Sequence, residues 1–367
     1  MEYTGAGIIT TYKTKYKGAE IRDYKNAHAN VARDEIIGSL MPAVVCQCAI
    51  TRRDESTCMR DETIARIARN LDIRASPRAE DTMRALMRAT QCSDEKCVLA
   101  AAASKGAISV EEAGIEEQVA FKRDGPTDTT LFNDNTIQGI LYSWMYQFRD
   151  FWAYNFNMLN YAEKSMRKGL VVAHPDTLAT INWEDLYAGR VPDPVGLGMT
   201  PTARAMLETK KVGVRCSACI INSDTYDGTG KHWMALFVDA RDTSETPCWT
   251  IEFFNSAAIR PESEWLEWMV KTKRELQRVN ARARIETICV CEVWHQHSKT
   301  ECGPYSTFYT WARLNGIPAT YFRENVVPDQ IMFEFRQHLF NNAQVGEKFD
   351  FAQFAKRVRV KWDSENI

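Results

Sequence analysis

Four polar side chains in the second half of the chain could together carry out nucleophilic chemistry at a thiol. Cys302 precedes Gly303 at the start of an aromatic-rich stretch that predicts a helix, where the helix dipole is expected to lower the pKa of the thiol. His232 is a candidate base, and the amide of Asn255 could orient its ring. Gln296 lies six positions before the cysteine, where its amide could donate to a developing oxyanion. These are the groups that hydrolysis of a peptide bond by a thiolate requires.

Neighbouring polar residues offer alternatives for two of these roles. Asp239 could orient the base, but it lies on the strand predicted to begin after the base and is expected to point elsewhere. His295 and His297 flank Gln296 and could themselves be bases, although their closeness to the predicted helix favours interpreting them as polar turn residues. The order along the chain also differs from that of papain-like enzymes, in which the cysteine comes first.

Short motifs around these residues resemble those of a known family. They comprise a His-Trp pair that enters a strand, an aromatic residue with an acid or amide and Ser at a strand end, a fixed Gln-to-Cys interval, and an Asn-Asp start of the catalytic domain. In this chain they are His232-Trp233, Phe254-Asn255-Ser256, Gln296 with Cys302-Gly303, and Leu131-Phe132-Asn133-Asp134. Across residues 125–340 the chain resembles the SUMO-protease-like superfamily of cysteine peptidases (clan CE), and within it the maturation proteases of large DNA viruses, such as those of African swine fever virus and adenovirus.

The resemblance implies a fold, an activity and a set of site residues. The implied fold is α+β, with a central, mostly antiparallel sheet packed on a buried nucleophile helix. The implied activity is that of a cysteine endopeptidase without cofactor or metal, a viral maturation protease that cuts structural polyproteins, such as capsid or core precursors, after small residues (Gly-Gly-X). The catalytic residues would be His232, Asn255, Gln296 and Cys302, and the substrate-binding residues Trp233, Gly303, Phe132 and Asn133.

Two of these substrate-binding residues can also be interpreted without the resemblance. Gly303 would let the backbone of a substrate approach the thiol closely, because it carries no side chain. Trp233 could stack on that backbone, or it could pack into the core from the other side of its strand. Pro304, next along the chain, suits the first turn of the predicted helix.

Two residues depart from the family pattern. Asn255 stands where many members carry Asp, and an amide stabilises an imidazolium less than a carboxylate does. Leu131 stands where the cellular SUMO proteases place a Trp over a narrow Gly-Gly tunnel. The first departure favours the branch of the large DNA viruses, and the second argues against a tight tunnel.

Other functions remain compatible with the same residues. A deconjugase of SUMO or ubiquitin-like proteins would need a broad docking surface for a folded partner. A relative of bacterial effector acetyltransferases would share the nucleophile but need acetyl-coenzyme A. A non-catalytic virion or interaction protein could retain the fold, but the complete set of four residues argues against it. The sequence does not decide whether the protein needs an activating peptide or DNA.

The composition is that of an ordinary globular protein. The 367 residues have a net charge of −2, a pI near 6.4 and 45% hydrophobic residues, which gives no general attraction to nucleic acid or anionic membrane. The sequence contains no signal-peptide pattern and no apolar run of transmembrane length, which predicts a soluble, unsecreted protein. Together with the resemblance, this places the protein in the host cytoplasm (the viral factory) and in the virion.

The eleven cysteines are an odd number in a chain without a secretion signal, so we expect most of them to be reduced. Only the pair Cys216 and Cys219 has a spacing common among zinc ligands, and no second pair of that kind follows it. Cys289 and Cys291 lie in a predicted strand and are expected to be small buried residues. We therefore expect no metal.

The sequence divides into three parts: an N-terminal, mainly helical arm (1–124), a catalytic domain (125–345) and a C-terminal tail (346–367). Helical periodicity is clear at residues 64–71 and 83–87, and Ser93 is a candidate cap of a third helix that stops near Gly106. The arm could recruit a substrate or partner, or it could be a helical bundle packed on the catalytic domain.

The pattern within the catalytic domain changes from helix to strand along the chain. Asn133 or Asp134 is expected to cap a helix that contains Ile137 and Trp144, and an aromatic-rich segment follows at 148–166. Alternation and β-branched residues predict strands at 214–221, 233–238, 248–254 and 285–293, with a hairpin turn at 242–247. A helix with an apolar stripe begins at Pro261, and the helix of the candidate nucleophile spans 302–314.

Overall fold

The structure is a computed structural model of the chain. It describes residues 40–42, 48–49, 57–127, 129–162, 166–167, 170–171, 178–179, 181–190, 213–242, 248–341 and 347–349. Most of the hairpin turn predicted at 242–247, and most of the predicted tail 346–367, lie outside these residues.

The described residues contain ten helices and ten short or medium strands. The helices are α1 (Asp61–Asn70), α2 (Ala79–Thr90), α3 (Glu95–Ser104), α4 (Val110–Ala120), α5 (Asp134–Gln147), α6 (Trp183–Tyr187), α7 (Ser263–Val279), α8 (Cys302–Leu314), α9 (Ala319–Glu324) and α10 (Asp329–Leu339). The strands are β1 (Leu40–Pro42), β2 (Phe151–Ala153), β3 (Asn157–Met158), β4 (Met166–Arg167), β5 (Leu170–Val171), β6 (Cys216–Asn222), β7 (Trp233–Asp239), β8 (Cys248–Phe254), β9 (Arg284–Val290) and β10 (Glu347–Phe349). Among these helices, none combines the length and hydropathy needed to cross a bilayer.

The central sheet has the strand order β2-β6-β7-β8-β9, and β3 also pairs with β6. Strand β7 runs antiparallel to β6 and β8, whereas β2 and β3 run parallel to β6, and β9 runs parallel to β8. The α+β class is confirmed, but the sheet is mixed rather than mostly antiparallel. The parallel β8–β9 pair arises because α7 returns the chain to the edge at which β8 began.

Helix α8 lies at the centre of the molecule, as predicted from its aromatic composition. All of its residues are buried, and it packs on β6 and β7 from one side and on α5 and α10 from others. Tyr309 stacks on Phe254 of β8 at 4.4 Å between ring centroids. Its one cation, Arg313, donates to both carboxylate oxygens of Glu252 at 2.8 Å, so that the buried charges neutralise each other.

The helices predicted in the arm are confirmed, with one change of cap. Ile64 and Ile67 of α1, and Met83 and Leu86 of α2, form buried stripes. Asp94, not Ser93, caps α3 by accepting a hydrogen bond from the backbone of Cys97. This difference has a simple cause, because both residue types are good caps and adjacent positions cannot be separated by propensity.

The arm and the catalytic domain are packed together across the proposed boundary at residue 124. Helix α4 packs against α5, and their buried residues belong to one continuous cluster. The guanidinium of Arg60 lies 3.7 Å from the ring centre of Tyr146, and the backbone N–H of Arg60 donates to its hydroxyl at 3.0 Å. A β-bridge joins Arg123 to Phe340. The division into domains remains a prediction, but its two larger parts share a core.

Four of the described cysteines form disulfides: Cys48 with Cys58, and Cys92 with Cys97. The other six that are described are not in disulfides, so the expectation of mostly reduced thiols needs correction only for these two pairs. Both disulfides lie near the start of α3: Cys92 and Cys97 flank it, and the backbone of Cys58 donates to Glu95, its first residue. The spacing of cysteines along the chain does not reveal that the two members of each pair are close together. Cys216 and Cys219 lie three residues apart on β6 and face opposite sides of the sheet, so they do not converge on one ion.

Candidate active site

His232 and Asn255 meet because the strands that carry them are neighbours. His232 immediately precedes β7, and Asn255 immediately follows the antiparallel β8. His232 Nε2 lies 2.9 Å from Asn255 Oδ1, and the backbone N–H of Ala257 also donates to that oxygen at 2.9 Å. An amide oxygen only accepts, so Nε2 carries the proton and Nδ1 is left as the base. The expected contact is therefore present, but through Nε2 rather than through Nδ1.

The loop before His232 is held by its own polar contacts. Asp224 accepts hydrogen bonds from the backbone of Gly230 and from the ammonium of Lys231, each at 3.0 Å. The backbone N–H of Ser223 donates to the carbonyl of His232 at 3.1 Å. A side chain at Gly228 would collide with the Asp224 carboxylate, which explains why the loop uses glycine there. These contacts hold the loop before His232, and the backbone of His232 itself, in one position.

Cys302 is the first residue of α8, and its thiol lies beside the residue that follows the base. The backbone N–H groups of Trp233, Gly303 and Cys302 itself lie close enough to the sulfur to favour its ionised form. These donors lower the pKa of the thiol, but burial outweighs them, so the pKa is raised. The expected lowering is therefore absent in this state. Sequence indicates the helix terminus but not the depth at which the sulfur lies.

Gln296 is held by Ser256, a residue to which no role was assigned from the sequence. Its backbone N–H donates to the carbonyl of Ser256 at 3.0 Å, and the hydroxyl of Ser256 donates to its Oε1 at 2.8 Å. Gln296 Nε2 donates to the carbonyl of Ser298 at 2.9 Å. An amide nitrogen carries two protons, so one remains for an oxyanion. The signal for Ser256 was its place directly after Asn255 in the motif.

The chain resembles the cysteine proteases of African swine fever virus. No model of a known protein family matches it. One protein of that virus, from a pig isolate from Kenya and called a SUMO-1 cysteine protease, is 31% identical over 257 residues, which are 69% of this chain and 84% of the relative. The chain belongs to the SUMO-protease-like family of viral cysteine proteases. A crystal structure of the African swine fever virus protease, with 25% identity and a TM-score of 0.54, covers 84% of this chain and 100% of its own.

The two histidines beside Gln296 occupy different environments in this viral cysteine protease. His295 is fully buried, its Nδ1 accepts from the backbone of Val327 at 3.1 Å, and burial lowers its pKa to about 3. It is a neutral core residue rather than the polar turn residue expected from the sequence. His297 is exposed and lies against Trp294, with 4.6 Å between ring centroids, in agreement with the turn interpretation.

Asp239, the alternative orienter, lies at the far end of the strand that His232 precedes. Its carboxylate pairs with Arg241 at 2.6 Å and with Arg313 at 3.2 Å. The two guanidiniums lower the pKa of Asp239 against the effect of burial. A carboxylate held at that end of β7 cannot reach the imidazole.

Of the four predicted substrate-binding residues of this protease, two are buried and pack on each other, and two are partly or fully exposed. Phe132 is only 2% exposed, and its Cβ would lie 2.7 Å from a Cβ at Gly303, so the glycine admits the phenylalanine. The substrate-binding roles of Phe132 and Gly303 remain predictions. Asn133 is exposed and caps α5 by accepting from the backbone of Thr136 at 2.8 Å. Trp233 is half-buried, and its indole N–H donates to the carbonyl of Phe132 at 3.0 Å.

Exposed apolar side chains lie on the loops that carry the site. Leu131 (55% exposed) precedes Phe132, Ile259 (57%) follows the Asn255 turn, and Trp294 (42%) precedes Gln296. Along the chain, each of these three exposed side chains therefore lies within a few residues of Phe132, Asn255 or Gln296.

The only group of potential metal ligands found among the described residues lies in the arm. The sulfurs of Cys48 and Cys58 and the carboxylate of Glu95 are all within 4.8 Å of one another. Both sulfurs are already joined in a disulfide, and the carboxylate accepts from the backbone N–H groups of Cys58 and Met59. These donors are occupied, so the group does not fit a metal.

Proposed function

We propose that Cys302, His232, Asn255 and Gln296 form the catalytic apparatus of this cysteine protease and that its substrates are viral polyproteins. The observation that carries the proposal is the 2.9 Å contact between His232 Nε2 and Asn255 Oδ1, with the Cys302 thiol near the backbone of the next residue, Trp233. This is the arrangement of nucleophile, base and orienter that thiol-dependent acyl transfer needs.

The first half of the reaction forms an acyl-enzyme. His232 Nδ1 removes the thiol proton as the sulfur attacks the peptide carbonyl, and the carbonyl oxygen gains the negative charge. The backbone N–H of Cys302 and the free N–H of the Gln296 amide stabilise that charge. Collapse breaks the C–N bond, and the imidazolium gives its proton to the leaving amine.

The second half releases the product. Water attacks the thioester while His232 Nδ1 takes its proton, and the thiol leaves with that proton to restore the resting site. Burial favours the neutral forms of both groups, because it raises the pKa of Cys302 and lowers that of His232. Proton transfer therefore accompanies attack rather than preceding it.

The buried thiol supports cleavage after small residues, of the Gly-Gly-X type. Cys302 is nearly inaccessible, and a residue without a large side chain can bring its carbonyl to the sulfur with the least displacement. The exposed side chains of Leu131, Ile259 and Trp294 would contact flanking residues of a structural precursor. An enzyme that acts on such a substrate is expected in the host cytoplasm and the virion.

A second candidate substrate is a ubiquitin-like protein. The relatives include proteins called SUMO-1 cysteine proteases, and the same exposed apolar side chains would contact a folded partner. In both cases the chemistry at Cys302 is the same.

The test is cleavage by the purified full-length chain of a peptide library, followed by Gly-Gly-X peptides and ubiquitin-like fusions. We expect Cys302→Ala and His232→Ala to abolish cleavage, and Cys248→Ala, which removes an exposed free cysteine, to leave it unchanged. Substantial cleavage by folded Cys302→Ala would contradict the proposal. Cleavage of fusions but not of Gly-Gly-X peptides would favour the second candidate.

A further inference from the structure

A fully buried ion pair lies directly beside the nucleophile. Glu301 is the residue before Cys302, and Arg336 projects from α10; both side chains are 0% exposed. Arg336 Nη2 donates to Glu301 Oε1 at 2.8 Å, and Nε donates to Oε2 at 3.2 Å. This bidentate contact fixes the carboxylate in one position.

The same guanidinium also binds the segment that leads from the arm into the catalytic domain. Arg336 Nη1 donates to the carbonyl of Thr130 at 2.5 Å and to that of Pro126 at 3.1 Å. Its carbon centre lies 4.6 Å from the ring centre of Phe132, the residue that packs against Gly303. One side chain therefore joins α10, the residues Pro126, Thr130 and Phe132, and the start of α8.

The charge of Glu301 opposes the chemistry next to it. A carboxylate beside the sulfur disfavours a thiolate, and it raises the pKa of Cys302 in addition to the larger effect of burial. A buried carboxylate without a counter-charge would be unfavourable in itself and would act on the thiol at full strength. Arg336 removes that effect by pairing.

We propose that Arg336 is a positioning residue for Cys302, which neutralises Glu301 and ties Pro126, Thr130 and Phe132 to the start of the nucleophile helix. The inference rests on the proposed role of Cys302. The ionisable side chain that acts on the thiol is Glu301, the residue before α8, and Arg336 from α10 faces that carboxylate. His232 precedes Trp233, whose backbone lies near the sulfur. The arginine acts through Glu301 and contacts neither the sulfur nor the substrate.

The experiment measures the rate at which iodoacetamide alkylates Cys302 as a function of pH, with the peptide that contains it quantified by mass spectrometry. The full-length chain is compared with Arg336→Met, Glu301→Gln and the double variant. We expect Arg336→Met to raise the pH midpoint by about one unit and Glu301→Gln to lower it. In the double variant the midpoint should return to the wild-type value or below.

Arg313→Met is the matched control. Arg313 is also a buried arginine paired with a glutamate, but it lies at the other end of α8, so its loss should lower stability without moving the midpoint. A role of Arg336 in stability alone would make the two variants behave alike.

An unchanged midpoint in folded Arg336→Met, or a double variant no closer to wild type than the single one, would overturn the proposal. If Arg336→Met does not fold, Glu301→Gln decides, because its midpoint must fall. Alkylation requires no peptidase activity, so these results stand apart from the proposed function, which fails only if Cys302→Ala still cleaves.

Discussion

The base of this protease is held by an amide oxygen rather than by a carboxylate, and this affects its protonation. Burial lowers the pKa of His232, while its hydrogen bond to Asn255 and the carboxylate of Glu262 raise it, and the net direction is downward. The base must be neutral to accept the thiol proton. Activity should therefore fall only when the pH drops below the usual range of a histidine.

Asn255→Asp should move this acidic limit. A carboxylate stabilises the imidazolium, so the pKa of His232 rises and the acidic limb of the pH profile of kcat/KM shifts upward, by about one unit or more. Glu262→Gln removes a more distant charge and should shift the same limb downward by less. Initial rates on a short peptide, measured between acidic and neutral pH, give the acidic limb of each variant. An active Asn255→Asp enzyme with an unmoved limb would mean that His232 is not the titrating base.

Ser256→Ala should lower kcat and leave KM nearly unchanged. The hydroxyl fixes the direction of the Gln296 amide, which acts on the oxyanion and not on the bound substrate. Loss of an oxyanion donor costs roughly 100-fold to 1,000-fold in kcat, so loss of its holder should cost about tenfold. Ser263→Ala, at the exposed start of α7, is the control. If Gln296→Ala and Ser256→Ala instead change KM and not kcat, the amide binds substrate rather than an oxyanion.

Residue types could be predicted at the site, but their exact contacts could not. Cysteine, histidine and amides have few chemical uses in that order, which is why sequence identified His232, Asn255 and Cys302 as candidates. Which imidazole nitrogen faces Asn255 depends on the loop geometry, and the burial of Phe132 depends on its packing against Gly303. Neither is encoded in a local pattern.

At the scale of elements, the start of α8 is positioned by close packing. The helix is anchored to the sheet at its C-terminal half by Glu252, which accepts from Tyr309 at 2.7 Å and from Arg313. At its N-terminal end it approaches Phe132 without an intervening side chain, because residue 303 is glycine. The first turn, which holds the thiol, therefore depends on a contact that any larger residue would disturb.

Gly303→Ala should reduce both stability and activity. The added methyl would lie 2.7 Å from Phe132 Cβ, and overpacking of a core typically costs about 1–3 kcal/mol. Gly114→Ala is the control, since a Cβ there meets no described atom within 4 Å and alanine in a helix stabilises by about 0.5–1 kcal/mol. Urea unfolding and peptide turnover measure the two effects. A Gly303→Ala enzyme of wild-type activity would show that the first turn tolerates displacement.

Strands and helices were predictable from periodicity, while their partners were not. Alternation reports which face is buried, so β6, β7, β8 and β9 begin and end close to the predicted residues. The same signal carries no information on direction, so the parallel pairing of β8 and β9 was missed. The short strands β2 and β3 have too few residues for any alternation.

At the scale of the whole molecule, the arm is part of the folded core. Its helices were predictable from their stripes, but the surface against which they pack was not, because an apolar stripe does not name its partner. Glu116 on α4 illustrates the result. It is nearly fully buried close to Arg60, which in turn contacts Tyr146 of α5.

Glu116 should make unfolding depend on pH in a way that tests this shared core. Burial raises its pKa to about 7 from 4.5, so the folded state binds a proton that the unfolded state has lost between these values. Stability from this group is complete below pH 4.5 and falls by about 3 kcal/mol as the pH rises through 7. Glu116→Gln should therefore be more stable than wild type at pH 8 and show a flatter profile.

The readout that connects this residue to the rest of the molecule is tryptophan fluorescence during urea unfolding. All ten tryptophans lie at or after Trp144, outside the arm, whereas Glu116 lies within it. If arm and catalytic domain unfold together, Glu116→Gln shifts the fluorescence transition, and the exposed control Glu117→Gln does not. A transition that stays fixed while helical circular dichroism shifts would instead mean that the arm unfolds separately, and that the boundary at residue 124 is a boundary of stability as well as of sequence.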